Sequence, residues 1–250
     1  MSQHTQVSGQ GEPNIAQPLY TPIKRRSFFM YAGATAGATA LVLAGCSKDD
    51  TVNNGPAPGS GSVSLGSGNL SVLQYAYALE QLEAAFYAQV VKTPATDFKA
   101  DELAYFTQVA AHEAIHRDFL KAAISMVAKS TPIMDLTPDF SSITFTSRAS
   151  VLGASMAFED LGVAAYNGAG KLISASDPNG PTYLTLAGKI VSVEARHAAY
   201  VRDLVMPGSF AADDQVNPVS GLDKALAPMD VIAAAQKYIK QTIDASTVGK

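Results

Sequence analysis

The stretch His112-Glu113-Ala114-Ile115-His116 lies in the middle of a long segment with helical periodicity. Residues three or four positions apart share one face of a helix. The H-E-x-x-H spacing could place two imidazoles on one zinc ion, with Glu113 as a base. Alternatively, Glu113 and His116 could be one of four contributions to a two-metal site inside a four-helix bundle. The two interpretations predict different partners elsewhere in the chain.

An internal repeat supplies such partners. Ala78-Leu79-Glu80-Gln81-Leu82 corresponds to Ala157-Phe158-Glu159-Asp160-Leu161, at an offset of 79 residues. Glu113-Ala114-Ile115-His116 corresponds to Glu194-Ala195-Arg196-His197, at an offset of 81 residues. The repeat therefore predicts two similar helical hairpins. Each of the four helices carries one carboxylate, and two of them add an imidazole one turn later.

Two tyrosines and one further glutamate accompany the repeat. Tyr87 and Tyr166 each follow the repeated glutamate by seven residues, which is two helical turns on the same face. They could donate hydrogen bonds near the site, act as radical traps, or simply pack in the core. Glu83 competes with Glu80 as the ligand from the first helix. It corresponds to Gly162 in the second hairpin, so the repeat favours Glu80.

The composition supports a site for two metal ions. Residues 46–250 contain six glutamates against fifteen aspartates, and four of those six occupy the repeated positions. A solvated helix surface would instead spread glutamates along every helix. Oxygen-rich ligation with one imidazole per ion suits iron or manganese better than zinc. The sequence thus predicts two transition-metal ions, iron or manganese, held by Glu80, Glu113, His116, Glu159, Glu194 and His197.

The pattern of apolar residues predicts an all-α chain. The expected helices cover about 70–91, 98–129, 147–174, 182–205 and 228–245. Asp97 is the expected N-cap of the second helix. The link between the second and third helices is about 17 residues long. It could span about 55 Å, enough to return along a helix of about 45 Å. This favours a four-helix bundle of two antiparallel hairpins joined by a long crossover.

The N-terminal region has the pattern of an export signal. Lys24-Arg25-Arg26-Ser27-Phe28-Phe29 precedes a short, weakly apolar run, and its paired arginines resemble a twin-arginine signal. Leu43-Ala44-Gly45-Cys46 resembles a bacterial lipobox, which predicts that Cys46 is lipidated and attaches the protein to a membrane. Cys46 is the only cysteine in the sequence, which excludes an internal disulfide and any multi-thiolate metal site.

Four regions follow from these observations. They are an export signal (1–45), a flexible Gly/Ser/Pro-rich tether (46–69), the helical bundle (70–206) and a C-terminal extension with one short helix (207–250). Residues 46–250 contain 15 basic and 21 acidic residues, a formal charge of −6. Without a basic patch or an aromatic platform, nucleic acid is not expected as a partner.

Taken together, the four motifs resemble the ferritin-like superfamily, and within it the bacterial ferritin-like lipoproteins and desiccation-related ferritin-like proteins. Leu79-Glu80-Gln81-Leu82-Glu83-Ala84-Ala85-Phe86-Tyr87 is similar to the first-helix pattern of these proteins. The resemblance covers about residues 70–205. The roles it implies are bridging carboxylates for Glu113 and Glu194, terminal carboxylates for Glu80 and Glu159, and terminal imidazoles for His116 and His197.

The expected function is redox chemistry at the cell envelope. A di-metal oxidase, a ferroxidase or a peroxide-consuming protein would use dioxygen or peroxide as its small-molecule substrate. A non-enzymatic alternative is a metal-binding protein of envelope stress or desiccation. A zinc metalloprotease is the third interpretation, but it gives no reason for Glu159, Glu194 or His197. The sequence leaves the oligomeric state open, a homo-oligomer among the options.

Overall fold

A computed structural model describes residues 62–250 of the chain. The predicted export signal, Cys46 and the tether up to residue 61 lie outside the described residues. Four long helices form the body of the molecule, and one short helix and a small sheet complete it. These elements are β1 (Ser62–Ser64), α1 (Gly68–Lys92), α2 (Glu102–Ala122), α3 (Arg148–Gly170), α4 (Gly180–Val205), α5 (Pro228–Ala235) and β2 (Thr242–Asp244).

The four long helices form two hairpins. α1 packs along α2, and α3 packs along α4, while α1 and α3 meet between the hairpins. Each hairpin has a short connection, whereas a long crossover, residues 128–147, joins α2 to α3. The predicted all-α bundle is therefore confirmed. Within residues 62–250, none of the helices combines the length and the apolar character that a bilayer-spanning segment needs.

The crossover is attached to α1 by two buried glutamines. Gln74 donates a hydrogen bond of 2.8 Å to the carbonyl of Thr131 and accepts one of 2.8 Å from the amide of Ile133. Two helical turns later, Gln81 accepts a hydrogen bond of 2.8 Å from the amide of Leu136. These bonds satisfy backbone groups that helices and sheets would otherwise satisfy. The irregular crossover can therefore lie against the bundle.

The second helix starts later than the sequence predicts. It begins at Glu102, with Asp101 at the N-cap position, rather than at residue 98 with Asp97 as the cap. The Asp97 carboxylate instead accepts a hydrogen bond of 2.7 Å from the amide of Arg148, the first residue of α3. The prediction for Asp97 was wrong because its partner lies 51 residues away.

The C-terminal ends of three predicted helices, the second one included, also differ. α2 ends at Ala122 and continues as a π-helical turn, Ala123–Val127. α3 ends at Gly170, four residues before the predicted end. α5 ends at Ala235 rather than at residue 245, because the chain turns at Gln236–Tyr238 and then forms β2.

A small parallel sheet joins the two ends of the described region. β1 pairs with β2 so that Val63 lies beside Ile243, and both side chains are buried. Leu65 is also buried, and the amide of Gly68 donates a hydrogen bond of 2.7 Å to the carbonyl of Lys250. Residues 62–69 therefore belong to the folded body, although the sequence predicts a tether there. Serine alternates with Val63 and Leu65, which buries the apolar side chains and exposes the polar ones.

Candidate metal centre

Four glutamates meet in the interior of the bundle. Glu80 on α1, Glu113 on α2, Glu159 on α3 and Glu194 on α4 each have an exposed fraction of 0%. The carboxylates come from four different helices, as the repeat predicts. Buried carboxylates are costly unless they are paired, protonated or bound to metal. The bundle therefore concentrates charge where a globular core would avoid it.

Two overlapping clusters can be defined from the ligand atoms. In each cluster, one ligand atom from every residue lies within 4.8 Å of the others. The first cluster contains Glu80, Glu113, His116 and Glu194, and the second contains Glu113, Glu159, Glu194 and His197. Glu113 and Glu194 belong to both clusters, while Glu80 and Glu159 belong to one each. Glu113 and Glu194, to which the resemblance assigns bridging roles, are thus the two residues shared by the clusters.

The imidazoles lie among the carboxylates. His116 Nδ1 is 2.9 Å from Glu194 Oε1, 3.2 Å from Glu113 Oε2 and 3.6 Å from Glu80 Oε2. His197 Nδ1 is 2.9 Å from Glu113 Oε1 and 3.5 Å from Glu159 Oε2. The structure therefore brings all six predicted ligand residues together, with one imidazole in each cluster.

The two tyrosines bind the terminal carboxylates. The Tyr166 hydroxyl donates a hydrogen bond of 2.5 Å to Glu80 Oε1, and the Tyr87 hydroxyl donates one to Glu159 Oε1. Each tyrosine thus contacts the glutamate of the other hairpin. The sequence left three roles open for these tyrosines, and the structure shows one of them, hydrogen bonding to carboxylates of the clusters.

Several buried carboxylate oxygens lack a hydrogen bond of good geometry, although two of them lie 2.9 Å from an imidazole nitrogen. Within residues 62–250, these buried oxygens of the clusters are Glu80 Oε2, Glu113 Oε1, Glu159 Oε2 and both oxygens of Glu194. Unsatisfied buried oxygens that converge with two imidazoles are the donor set that iron and manganese accept. The residues present therefore fit a site for two such ions.

Burial and mutual contact shift the pKa values of the cluster. Burial raises the pKa of Glu80 to about 7. Burial raises the pKa of Glu194 well above its usual value, and the neighbouring Glu113 adds to the effect. Burial would also raise the pKa of Glu113, but hydrogen bonds from His116 and His197 outweigh it and lower that pKa to about 2.

The imidazoles respond in the opposite direction. Burial would lower the pKa of His116, but the carboxylates of Glu113, Glu194 and Glu80 raise it to about 12. The pKa of His197 rises to about 10 because contacts with Glu113 and Glu159 outweigh burial. The cluster thus holds protons that a metal ion would displace.

His112 has a position that the sequence did not reveal. Its side chain is exposed, and neither of the two clusters within residues 62–250 includes it. His112 Nδ1 lies 2.9 Å from His197 Nε2, and the two rings stack at a centroid distance of 5.2 Å. A zinc protease would need His112 and His116 on one ion, whereas His112 instead supports the imidazole of the other hairpin.

Glu83 also lies beside the clusters, although the repeat favours Glu80 as the ligand from α1. Its side chain is buried, and its neighbours include Glu194. Burial, followed by the negative charge of Glu194, raises the pKa of Glu83 well above its usual value. The sequence already indicated that Glu83 could lie near the site, since it follows Glu80 by one helical turn. The equivalent residue in the second hairpin, Gly162, has no side chain.

A family model described as a ferritin-like domain matches residues 68–207. The chain belongs to the ferritin-like family. The match runs from the start of α1 to just beyond α4, so it includes every helix that contributes to the two clusters. No curated protein matches the sequence. The superfamily assignment made from the four motifs is therefore confirmed, and the buried carboxylate and imidazole clusters of this ferritin-like chain are compatible with metal binding.

Proposed function

We propose that this ferritin-like protein holds two transition-metal ions, iron or manganese, and uses them in a redox reaction. The observation that carries the proposal is the sharing of Glu113 and Glu194 between two clusters, each with its own imidazole. Four carboxylates carry the negative charge that balances two divalent ions. Bound to this set, the ions would supply redox chemistry, either oxidation of Fe(II) by dioxygen or peroxide, or removal of peroxide.

The side chains around the ligands would fix their orientation. Tyr166 and Tyr87 each hold Oε1 of one terminal carboxylate, which leaves Oε2 directed to the imidazole of its cluster. His112 Nδ1 is placed to accept the Nε2 proton of His197, so that His197 Nδ1 is free to bind metal. Such supporting hydrogen bonds keep a site in one geometry through successive reaction cycles.

The experiment measures metal content first and activity second. Protein folded in the cytoplasm is purified, and iron and manganese are quantified by elemental analysis. We expect about two ions per chain, and Glu113→Ala should lose both because Glu113 belongs to both clusters. Ferroxidase and peroxide-consumption assays on loaded protein then identify the reaction. Less than one ion per chain, together with no effect of Glu113→Ala, would refute the two-metal site.

A loaded but inert centre would support the non-enzymatic alternative, a metal-binding protein of envelope stress or desiccation. The observation that favours this alternative is the enclosure of the ligands. His116 is the most exposed of the six, and its side chain is only 11% exposed. An enclosed site protects its ions but restricts the access of larger substrates.

The proposed location is the cell envelope, with a lipid on Cys46 as the anchor. Support comes from the paired arginines and the lipobox-like stretch before Cys46. Membrane fractions from labelled cells should contain the lipidated protein, and Cys46→Ser should remove the label and release the protein from the membrane. Unchanged fractionation of Cys46→Ser would exclude this anchor.

A further inference from the structure

Glu83 is a fifth buried glutamate near the two clusters, although it belongs to neither of them. It lies on α1, one turn after Glu80, and its exposed fraction is 4%. Glu83 Oε2 is buried and has no hydrogen-bond partner within residues 62–250. A buried carboxylate without a partner is costly and needs a compensating charge. The six predicted ligands do not account for a buried carboxylate at residue 83.

Gly162 makes room for Glu83. A Cβ atom added at Gly162 would lie 2.9 Å from Glu83 Oε1 and 3.6 Å from Glu194 Oε2. The carboxylates of Glu83 and Glu194 therefore both lie close to Gly162 on α3. Glu194 belongs to both clusters. The Glu83 carboxylate thus lies near a residue shared by the two clusters.

The internal repeat is broken at this point. Glu83 and Gly162 occupy equivalent positions in the two hairpins, and in the structure they face each other. A side chain at 162 would take the space that the Glu83 carboxylate uses. The Glu83 carboxylate fits between the hairpins because residue 162, opposite it, is a glycine. The pair makes the otherwise matched halves of the centre unequal.

We infer that Glu83 is an additional carboxylate of the metal centre and favours the oxidised ion pair over the reduced one. This inference rests on the proposed two-metal site. Four carboxylates balance two divalent ions, so a fifth carboxylate, ionised beside the bound cations, would leave one negative charge in excess. An oxidised ion pair would carry one more positive charge than the reduced pair, and the carboxylate of Glu83 would balance that charge. Opposite charges attract strongly in a poorly solvated interior.

The first test compares wild-type protein with Glu83→Gln, which keeps the shape of the side chain and removes its charge. Both proteins are loaded anaerobically with Fe(II), and iron content and midpoint potential are measured. The variant should still bind two ions, because all six other ligands remain. Its oxidised-to-reduced ratio at fixed potential should fall about tenfold, an upward shift of about 59 mV for a one-electron couple.

The second test displaces the carboxylate without changing the charge. Gly162→Ala places a methyl group in the space of Glu83 Oε1, so it should alter the electron paramagnetic resonance spectrum of the loaded protein. Gly153→Ala is the matched control on the same helix, since a Cβ there meets nothing within 4 Å. Both changes raise the helix propensity of α3 by a similar amount. A difference between them therefore reports contacts at residue 162, of which the one with Glu83 Oε1 is the tightest and the one with Glu194 Oε2 is an ordinary van der Waals contact.

The outcomes separate the two hypotheses. Wild-type protein that binds fewer than two ions refutes the proposed function and, with it, the role of Glu83. Wild-type protein with two ions, but with the same potential in Glu83→Gln and the same spectrum in Gly162→Ala, refutes the role of Glu83 alone. If Glu83→Gln does not fold, a changed spectrum in Gly162→Ala supports the inference and an unchanged one overturns it.

Discussion

The Tyr166 hydroxyl donates a hydrogen bond of 2.5 Å to Glu80 Oε1 across the interface between the two hairpins. Tyr87 makes the equivalent contact with Glu159 in the opposite direction. In each carboxylate the other oxygen faces an imidazole, with Glu80 Oε2 3.6 Å from His116 Nδ1. The tyrosines therefore orient the carboxylates of Glu80 and Glu159, and each hairpin positions a carboxylate of the other.

Tyr166→Phe should weaken metal binding without removing a ligand. The change leaves Glu80 Oε1 without its hydrogen bond, so the carboxylate is no longer held in one orientation. Loss of such a supporting contact typically lowers metal affinity about 10- to 100-fold. Competition titrations with a chelator of known affinity would measure the change. Tyr200→Phe is the control, since Tyr200 is 43% exposed, and an equal loss of affinity in the control would contradict this prediction.

Glu194→Gln should have opposite effects on stability with and without metal. Burial, followed by repulsion from Glu113, disfavours the charge of Glu194 in the chain alone. Removing that charge should stabilise the protein in chelator, by about 1–3 kcal/mol. With saturating metal the variant should be the less stable protein, because it has lost a ligand shared by both clusters.

Thermal denaturation in chelator and in excess Mn(II) checks the sign change. Glu102→Gln is the matched control, since Glu102 is also a buried glutamate but pairs with Arg148. It should destabilise the protein equally in both conditions. A Glu194→Gln variant that is less stable in both would show that Glu194 has a purely structural role.

Metal binding should release protons and strengthen as the pH rises. Contacts with carboxylates raise the pKa of His116 to about 12 and that of His197 to about 10 despite burial. Both imidazoles therefore carry a proton at neutral pH that a metal ion must displace. Each ion displaces one imidazole proton, and Glu80 and Glu194 can release further protons because their pKa values are raised. The overall constant for binding two ions should therefore rise by at least on the order of 100-fold per pH unit.

Calorimetry of Mn(II) binding in buffers of different ionisation enthalpy would count the released protons. Dissociation constants measured between pH 6 and 7.5 would give the slope directly. A pH-independent affinity would mean that neither imidazole changes its protonation on binding, which is incompatible with both acting as ligands.

The repeat predicted the site because equivalent positions on two hairpins face a common interior. Spacing on one helix fixes which side chains share a face, so Glu113 could be paired with His116 from the sequence alone. Four such faces in one bundle can only meet at the centre. Every glutamate in residues 62–250 is buried, which explains why the rarity of glutamate was informative.

Contacts between helices were harder to predict because they depend on how the helices are rotated and staggered. His112 lies beside His197, and Glu83 lies opposite Gly162, through packing that no spacing along one helix encodes. The three-residue strands β1 and β2 are too short to give a periodic signal, and their partners are about 180 residues apart. Asp97 was misplaced for the same reason.

The ion pair between Glu102 and Arg148 should control stability in acid. Arg148 Nη2 donates to Glu102 Oε1 at 2.6 Å, and the pair joins the start of α2 to the start of α3. The hydrogen bond from Arg148 outweighs burial and lowers the pKa of Glu102 from its usual value. A lowered carboxyl pKa stabilises the fold above pH 4.5, and this contribution is lost as the pH falls through the folded-state pKa.

Glu102→Gln should therefore destabilise the protein at pH 7 by roughly 2–3 kcal/mol, somewhat less than for a fully buried pair, because the Arg148 side chain is 20% exposed. The difference from wild type should shrink below pH 4.5, where wild-type Glu102 also loses its charge. Urea denaturation at pH 7 and pH 3 measures both values. Asp118→Asn in the exposed pair with Arg117 is the control and should change stability little. A constant difference between wild type and Glu102→Gln at the two pH values would show that shape, rather than charge, holds the two helix ends together.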